Sequence, residues 1–283
     1  EGAFHGRTLG TLSLNRSKGV YRREFPETAS VHDIPFCTDR DCTAGTCDCG
    51  FFFDDSSWLR RLLEPGGAVD PDEVAALVLE PVQGEGGYRF PSDAFTDELA
   101  ACCAEFDVPL VVDEVQSGLG RTGEWWAVDH SALEPDVIAS AKGLRVGATI
   151  AREEVFPDEK SRLSSTWGAG DILSSAVGAL TIDAIAEHDL MDNATERGQQ
   201  MKQLLREHDL PGATDVRGLG LLLAVEFESA DRRDAVQAAA FADGLLTLGC
   251  GEQTLRLLPP LDVTDREIRL AADLLADAAR TSI

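Results

Sequence analysis

The sequence predicts an α/β fold: a mostly parallel sheet flanked by helices, followed by a smaller α+β C-terminal domain. Three observations carry this. Continuously apolar runs, too brief for helices, recur at residues 76–80, 108–114 and 137–142, the pattern of strands buried on both faces. A helical stretch separates the first two runs, which makes a strand–helix–strand unit. Beyond Pro211 the texture changes to strands around Gly218 and Gly220, and two further helices follow.

The elements follow in chain order. Residues 8–18 are a polar–apolar mix and 31–36 a brief strand-like piece. Residues 37–57 form a Cys-rich loop. Pro71 opens a short helix behind Asp70, whose side chain suits an N-cap. Ala76 to Glu80 is the first buried strand. Ser92 to Phe106 is an amphipathic helix, with Phe95, Leu99 and Cys102 or Cys103 on one stripe. Val108 to Glu114 is the second strand, Val137 to Lys142 the third and Gly147 to Arg152 a fourth. Residues 171–207 are mostly helical with a break near Asp189. Arg232 to Leu246 is a helix and Leu255 to Leu258 a strand stopped by Pro259 and Pro260. Thr264 caps a last Ala- and Leu-rich helix. The expected domains are 1–195 and 196–283.

At 283 residues and 43% hydrophobic, the chain is long and apolar enough for a real core, which excludes wholesale disorder. Fifty acidic against 25 basic side chains give a net charge of −25. Such a surface repels phosphate backbones, so nucleic acid is not an expected partner. Only four lysines occur, Lys18, Lys142, Lys160 and Lys202. Many acids with few lysines resemble a salt-adapted cytosolic protein. No apolar run reaches the ~18 residues that cross a bilayer, and no secretion signal opens the chain, so the expectation is a cytoplasmic protein without a membrane.

Cys37, Cys42, Cys47 and Cys49 are spaced C-x4-C-x4-C-x-C. This matches neither C-x2-C pairing nor a usual zinc knuckle. The window reads as a thiol-bearing surface insertion, with metal ligation and disulfides as alternatives; no metal residue is assigned. The odd total of seven cysteines fits a reducing compartment.

In open parallel sheets ligands sit beyond the C-terminal strand ends. Glu80, Asp113 with Glu114, and Lys142 stand at three such ends. A carboxylate and a lone Lys on one rim make either a structural ion pair or a pyridoxal site, where a Lys amine meets the cofactor's aldehyde and a carboxylate keeps its pyridine nitrogen protonated. The strings around them decide between these. Phe4-His5-Gly6-Arg7-Thr8, Glu80-Pro81-Val82-Gln83-Gly84-Glu85-Gly86-Gly87, Asp113-Glu114-Val115-Gln116-Ser117-Gly118-Leu119-Gly120-Arg121-Thr122-Gly123 and Ala141-Lys142-Gly143 appear in this order. Together they resemble the class III (ω-) aminotransferases of the pyridoxal-phosphate fold type I superfamily, the group of 4-aminobutyrate, ornithine and acetylornithine aminotransferases. The composition suggests a haloarchaeal version.

The resemblance implies a role for each residue. Lys142 would bond the cofactor, pyridoxal 5′-phosphate, and move the proton. Asp113 would pair with the pyridine nitrogen and Gln116 with the phenolic oxygen. Phe4 would stack on the ring, with His5 behind it. Thr166, in Ser164-Ser165-Thr166-Trp167-Gly168, would reach the neighbouring subunit's cofactor phosphate, so a homodimer with a shared site is expected. Arg256, in Leu255-Arg256-Leu257-Leu258-Pro259-Pro260, would bind the α-carboxylate of glutamate or 2-oxoglutarate. Glu85 would neutralise Arg256 when a donor lacks that carboxylate, and Arg7 would be a second carboxylate clamp. Glu80 and Glu114 tune the pocket or form plain ion pairs, and Arg121 is structural. The implied reaction moves an amino group from an ω-amino acid to 2-oxoglutarate. Alternatives are dialkylglycine decarboxylase or aminomutase chemistry, or an inactive truncated member. Two departures stand out. The family's phosphate-binding turn, expected upstream of Phe4, is absent from this sequence, which reads as N-terminally truncated. The loop after Lys142 looks shortened, with Arg145 where small residues are usual.

Overall fold

The computed structural model describes residues 1–43, 46–159, 162–163 and 171–282. The first regular elements are small. Leu9–Leu12 makes one helical turn. Two-residue strands pair Cys42–Thr43 with Thr46–Cys47 and Phe52–Phe53 with Ser56–Ser57. Helix α1, Trp58–Leu63, starts where the Ser57 side chain accepts from the Arg60 N–H. Residues 31–36 are not a strand. Pro35 has no N–H to give a ladder, and the segment instead offers the Ile34 carbonyl to the Glu1 amino terminus at 2.6 Å.

Four strands make the main sheet: β1 (Leu77–Leu79), β2 (Leu110–Asp113), β3 (Val137–Ser140) and β4 (Ala148–Ala151), side by side in that order. β1, β2 and β3 run parallel, with Leu79 opposite Val112 and Asp113 opposite Ala139. Their C-terminal ends therefore share one edge. The link from β1 to β2 carries helix α2, Asp93–Phe106, whose Ser92 side chain accepts from Phe95 N–H. Phe95, Leu99 and Cys102 are its buried stripe, as the spacing predicts, while Cys103 is only half-buried. They pack with Phe36, Phe51, Leu79, Leu110 and Val112 into one core.

β4 runs antiparallel to β3. Only residues 141–147 join them, and a parallel return needs a dozen or more. Helices α3 (Ile172–Glu187) and α4 (Leu190–Glu207) follow, broken at Asp189, which takes a left-handed φ of 50°. α4 runs unbroken through residue 195, and its Ala194, Met201 and Leu205 belong to the C-terminal core.

That core sits between α4, α5 (Ala230–Ala242), α6 (Asp265–Thr281) and an antiparallel sheet. The sheet contains β5 (Ala213–Leu219), β6 (Leu222–Phe227), β7 (Leu248–Cys250) and β8 (Thr254–Leu257), in the order β7-β8-β6-β5. α5 ends four residues before the predicted Leu246, because Gly244 turns the chain at φ +88°. β7 is an added strand that the sequence did not announce. Thr264 and Glu267 form a reciprocal capping box at the start of α6. Among the described residues, no helix is long and apolar enough to cross a membrane.

Candidate active site

The shared edge of β1, β2 and β3 gathers the chemistry-bearing residues. Asp113 is the last residue of β2, and Lys142 lies two residues past β3. Asp113 Oδ1 accepts from Val115 N–H at 3.0 Å, and Oδ2 meets His5 Nδ1 at 2.9 Å. The N-terminal segment thus crosses directly over the strand ends. His5 is itself fixed by Asn15, fully buried, whose Oδ1 accepts from His5 N–H at 2.6 Å. The Asn15 amide returns a bond to the Gly6 carbonyl at 2.7 Å. Asn15 escaped the sequence reading; a single polar residue in a mixed stretch carries no pattern.

Glu80 is 7% exposed and makes no ion pair among the described residues. It accepts from Phe4 N–H at 2.6 Å and from Gly84 N–H at 2.9 Å. One carboxylate therefore ties the N-terminal segment to the glycine-rich turn after β1. Burial pushes its carboxyl up to about 7, against the two backbone donors and the nearby His5. Glu114 has a separate task. It accepts from Ser117 Oγ at 2.5 Å and Val128 N–H at 2.8 Å, holding the loop after β2, and burial raises its pKa.

Lys142 is exposed as a residue, yet enough protein surrounds its amine for desolvation to lower its pKa. The Arg256 charge lowers it further, while Asp113, Glu80 and Glu85 oppose. These charges are the site's own, so one amine senses residues from three parts of the chain. Gln116 lies across from Gly84, where a Cβ would stand 2.7 Å from the amide oxygen. That buried oxygen has no hydrogen-bond partner among the described residues.

Arg256 enters from β8 and pairs with Glu85, Nη2 to Oε1, at 2.9 Å. Its Nη1 is buried without a partner among the described residues. Glu85 Oε2 accepts from the Tyr21 hydroxyl at 3.1 Å and lies 3.9 Å from Lys18 Nζ. Arg7 is exposed, with its guanidinium 4.7 Å from the Tyr21 ring centroid and 6.0 Å from that of Phe4. Phe4 meets Tyr21 edge-on at 5.2 Å. Tyr21 and Lys18 were not foreseen; neither belongs to a motif. Arg121 donates to the Leu221 carbonyl at 2.9 Å, which ties the loop after β2 to the β5–β6 turn. Arg145 takes a left-handed φ of 63°, and its neighbour Leu144 is buried beside Leu119 and Ile185. Thr166 lies outside the described residues.

Two clamps hold the C-terminal sheet against this edge. Arg217 of β5 donates to the Gly87 and Tyr88 carbonyls at 2.7 and 2.9 Å. Gly251 N–H donates to the Glu85 carbonyl at 2.8 Å. Arg256 therefore reaches Glu85 across a fixed seam.

The family model for class III aminotransferases matches residues 1–279. The chain belongs to this family. Among curated class III relatives, an acetylornithine aminotransferase of Methanopyrus kandleri is 35% identical over 288 residues, covering 100% of this chain and 67% of its own length. One from Synechocystis sp. is 34% identical, covering 99% and 63%. The chain thus spans about two thirds of the relatives it matches. A lysine aminotransferase from M. tuberculosis, solved in the internal aldimine form, superposes with a TM-score of 0.85 at 30% identity over 100% of this chain and 66% of that one. Class III aminotransferases depend on pyridoxal 5′-phosphate.

Proposed function

We propose that the chain is the greater part of an ω-amino-acid aminotransferase, in which an amino group passes from an ω-amino donor such as 4-aminobutyrate or acetylornithine to 2-oxoglutarate. The observation that carries this reading is the half-used guanidinium of Arg256. One arm is neutralised by Glu85 and the other is buried with no hydrogen-bond partner among the described residues. A site that must take a substrate carboxylate in one half-reaction and none in the other needs such a removable counter-charge.

The residues present fit the family's cofactor. Gln116 has its buried amide oxygen unpaired among the described residues, and its amide N–H is the group that would donate to the phenolic oxygen. Lys142 is an amine whose pKa is lowered, open to solvent at a strand end. Asp113 is held at both oxygens by Val115 and His5, with lone pairs to spare for a ring nitrogen. When bound, the cofactor supplies an aldehyde and an electron-poor ring that draws electrons from the bond being broken.

The protein's own groups do the rest. Lys142, with its proton loosened by burial, takes and returns the proton at the substrate carbon. Asp113 keeps the ring nitrogen protonated, and His5 holds Asp113 in place. Phe4 covers the ring face, anchored through its own N–H to Glu80. Arg256 grips the α-carboxylate of 2-oxoglutarate in a fork once Glu85 swings away. Glu85 then has Tyr21 and Lys18 to receive it. Arg7 is the second carboxylate clamp.

The reading includes a cytoplasmic, salt-adapted homodimer in which Thr166 serves the neighbour's phosphate. α3 supports a dimer: Ile172, Leu173 and Leu180 are 86%, 74% and 67% exposed, an apolar face that suits a second copy. Sedimentation of the full-length protein is expected to give a dimer.

The test is spectroscopic and chemical. Full-length protein titrated with pyridoxal phosphate develops the absorbance of a Lys-bound cofactor, and Lys142→Ala abolishes it. Glutamate then accumulates from 2-oxoglutarate with an ω-amino donor. An unchanged spectrum in Lys142→Ala, or carbon dioxide release without glutamate, overturns the proposal.

A further inference from the structure

The Cys-rich segment lies outside everything the amino-transfer chemistry uses. Its sequence spacing fits no usual metal motif, yet folding brings the thiols together. Cys37, Cys47 and Cys49 place their sulfurs within 4.8 Å of one another. Cys37 Sγ lies 3.8 Å from Cys47 Sγ, and Cys47 Sγ 3.1 Å from Cys49 Sγ. Cys42 is the partner of Cys47 across the short hairpin, which sets the two side chains on the same face of the pair. Three thiols therefore converge on one point, with the fourth, Cys42, facing them from the hairpin.

We infer that Cys37, Cys42, Cys47 and Cys49 form a tetrahedral site for a structural zinc ion.

Three features argue for a metal. Four sulfurs around zinc at ~2.3 Å stand about 3.8 Å apart along each tetrahedral edge, the spacing of Cys37 and Cys47, while Cys47 and Cys49, at 3.1 Å, have to part to reach it. Backbone donors already point at the sulfurs: Phe52 N–H at Cys47 Sγ, 3.3 Å, and Phe51 N–H at Cys49 Sγ, 3.5 Å. Such bonds support negative sulfur. The segment also needs a staple. Its regular structure is four two-residue strands, too little to hold itself. Binding is a simple exchange in which each thiol yields its proton and becomes a thiolate ligand, with no change of oxidation state.

The position explains what the ion would do. Cys37 is fully buried in the core beneath α2, and its carbonyl accepts from Ser92 N–H, the α2 cap, at 3.1 Å. Asp41, between the first two ligands, holds Arg89 at 3.0 Å. A closed four-sulfur site leaves no open position, so the role is structural.

Zinc content of full-length protein, purified reduced and reconstituted with zinc, tests this. The expected result is about one zinc per chain. Cobalt substitution is expected to give the intense visible bands of tetrahedral thiolate coordination. Cys37→Ser, Cys42→Ser, Cys47→Ser and Cys49→Ser should each lose more than about 100-fold in zinc affinity, since even partners beyond the ligands are worth 10–100-fold. Cys103→Ser should lose nothing. Should the serine variants fail to fold, wild-type protein still decides: a strong chelator is expected to lower its unfolding midpoint and free four thiols to a thiol reagent. The proposal is overturned by reduced protein that retains no zinc or cobalt. It is overturned equally by zinc that survives the four substitutions, or by recovery of the four cysteines as disulfides that reduction and zinc do not replace.

Discussion

Glu80 lies in the strand-end turn between two backbone donors and a nearly closed interior. Its carboxyl sits at about 7, against 4.5 for the unperturbed group. The folded state thus holds this proton more tightly than the unfolded chain. The stabilisation is full below about pH 4.5 and is lost as pH rises through about 7. At about 1.4 kcal/mol per unit the span is about 3 kcal/mol. Glu80→Gln cannot ionise, so its stability relative to wild type should rise by about that amount between the two limits. Urea unfolding of both proteins across that range checks it, and a constant difference would show that burial does not govern this group. Arg256 and Glu85 give the second residue-scale expectation. Arg256→Ala should raise KM for 2-oxoglutarate about 10- to 100-fold, the worth of a hydrogen bond to a charged group. Glu85→Gln leaves Arg256 without its counter-charge. It should lower KM for 2-oxoglutarate while slowing the half-reaction with a donor that carries no carboxylate at that place. Stopped-flow kinetics of the two half-reactions separate these effects, and equal slowing of both would argue for general damage.

At the scale of elements, the seam between the two halves rests on close backbone contact. α4 passes over the β5–β6 turn at Gly198, where an added Cβ would lie 2.0 Å from the Gly220 carbonyl oxygen. Gly220, at φ +53°, rests in turn on the backbone of Arg121 and Thr122, and Leu221 N–H donates to the Arg121 carbonyl at 2.9 Å. The obstacle is backbone on both sides, so nothing can swing aside. Gly198→Ala should cost about 1–3 kcal/mol, read as a lower midpoint in denaturant, and an unchanged midpoint would mean that α4 moves freely over the turn. This contact also shows which parts of the molecule the sequence could reveal. Strands β1, β2 and β3 were readable because apolar runs ending in acid or Lys are local patterns. The break at Asp189 and the caps at Asp70 and Thr264 were readable for the same reason. The direction of β4 was encoded in the seven-residue link before it, although apolarity alone could not give it. Gly198 against Gly220, Asn15 beneath His5, and Tyr21 on Glu85 are long-range pairings with no periodic signature. The motif strings located Lys142, Asp113, Glu85 and Arg256, whereas only folding supplies the residues that hold them. The cysteines make the same point, since C-x4-C-x4-C-x-C looks unlike a metal motif until the hairpin folds.

For the whole molecule, the governing quantity is the charge of −25. The candidate site does not share that sign uniformly, for Arg7, Lys18, Lys142 and Arg256 meet there. The acids elsewhere repel one another, and such self-repulsion weakens the compact state. Arginines already engage part of the acidity: Arg217 with Asp215 and Glu226, Arg60 with Glu98, and Arg269 with Asp265. The exposed Arg269–Asp265 pair is worth little, and added salt weakens it more than the partly buried pairs. The surplus acids gain from the same salt. With 50 acids against 25 bases, relief of repulsion should outweigh lost attraction. The unfolding midpoint should therefore rise as KCl increases from about 0.1 M to about 1 M, where the Debye length contracts from about 10 Å to about 3 Å. Each kcal/mol relieved corresponds to about 2–4 °C in a chain of this size. Thermal scans across that series check the sign. A midpoint that falls with salt would mean that the ion pairs, and not the surplus charge, control stability. A rise that levels off near 1 M identifies screening, because little repulsion is left to screen beyond it. A rise that continues at higher salt requires ordered uptake of ions and water by the acidic surface, which is the behaviour expected of a protein adapted to work in concentrated salt.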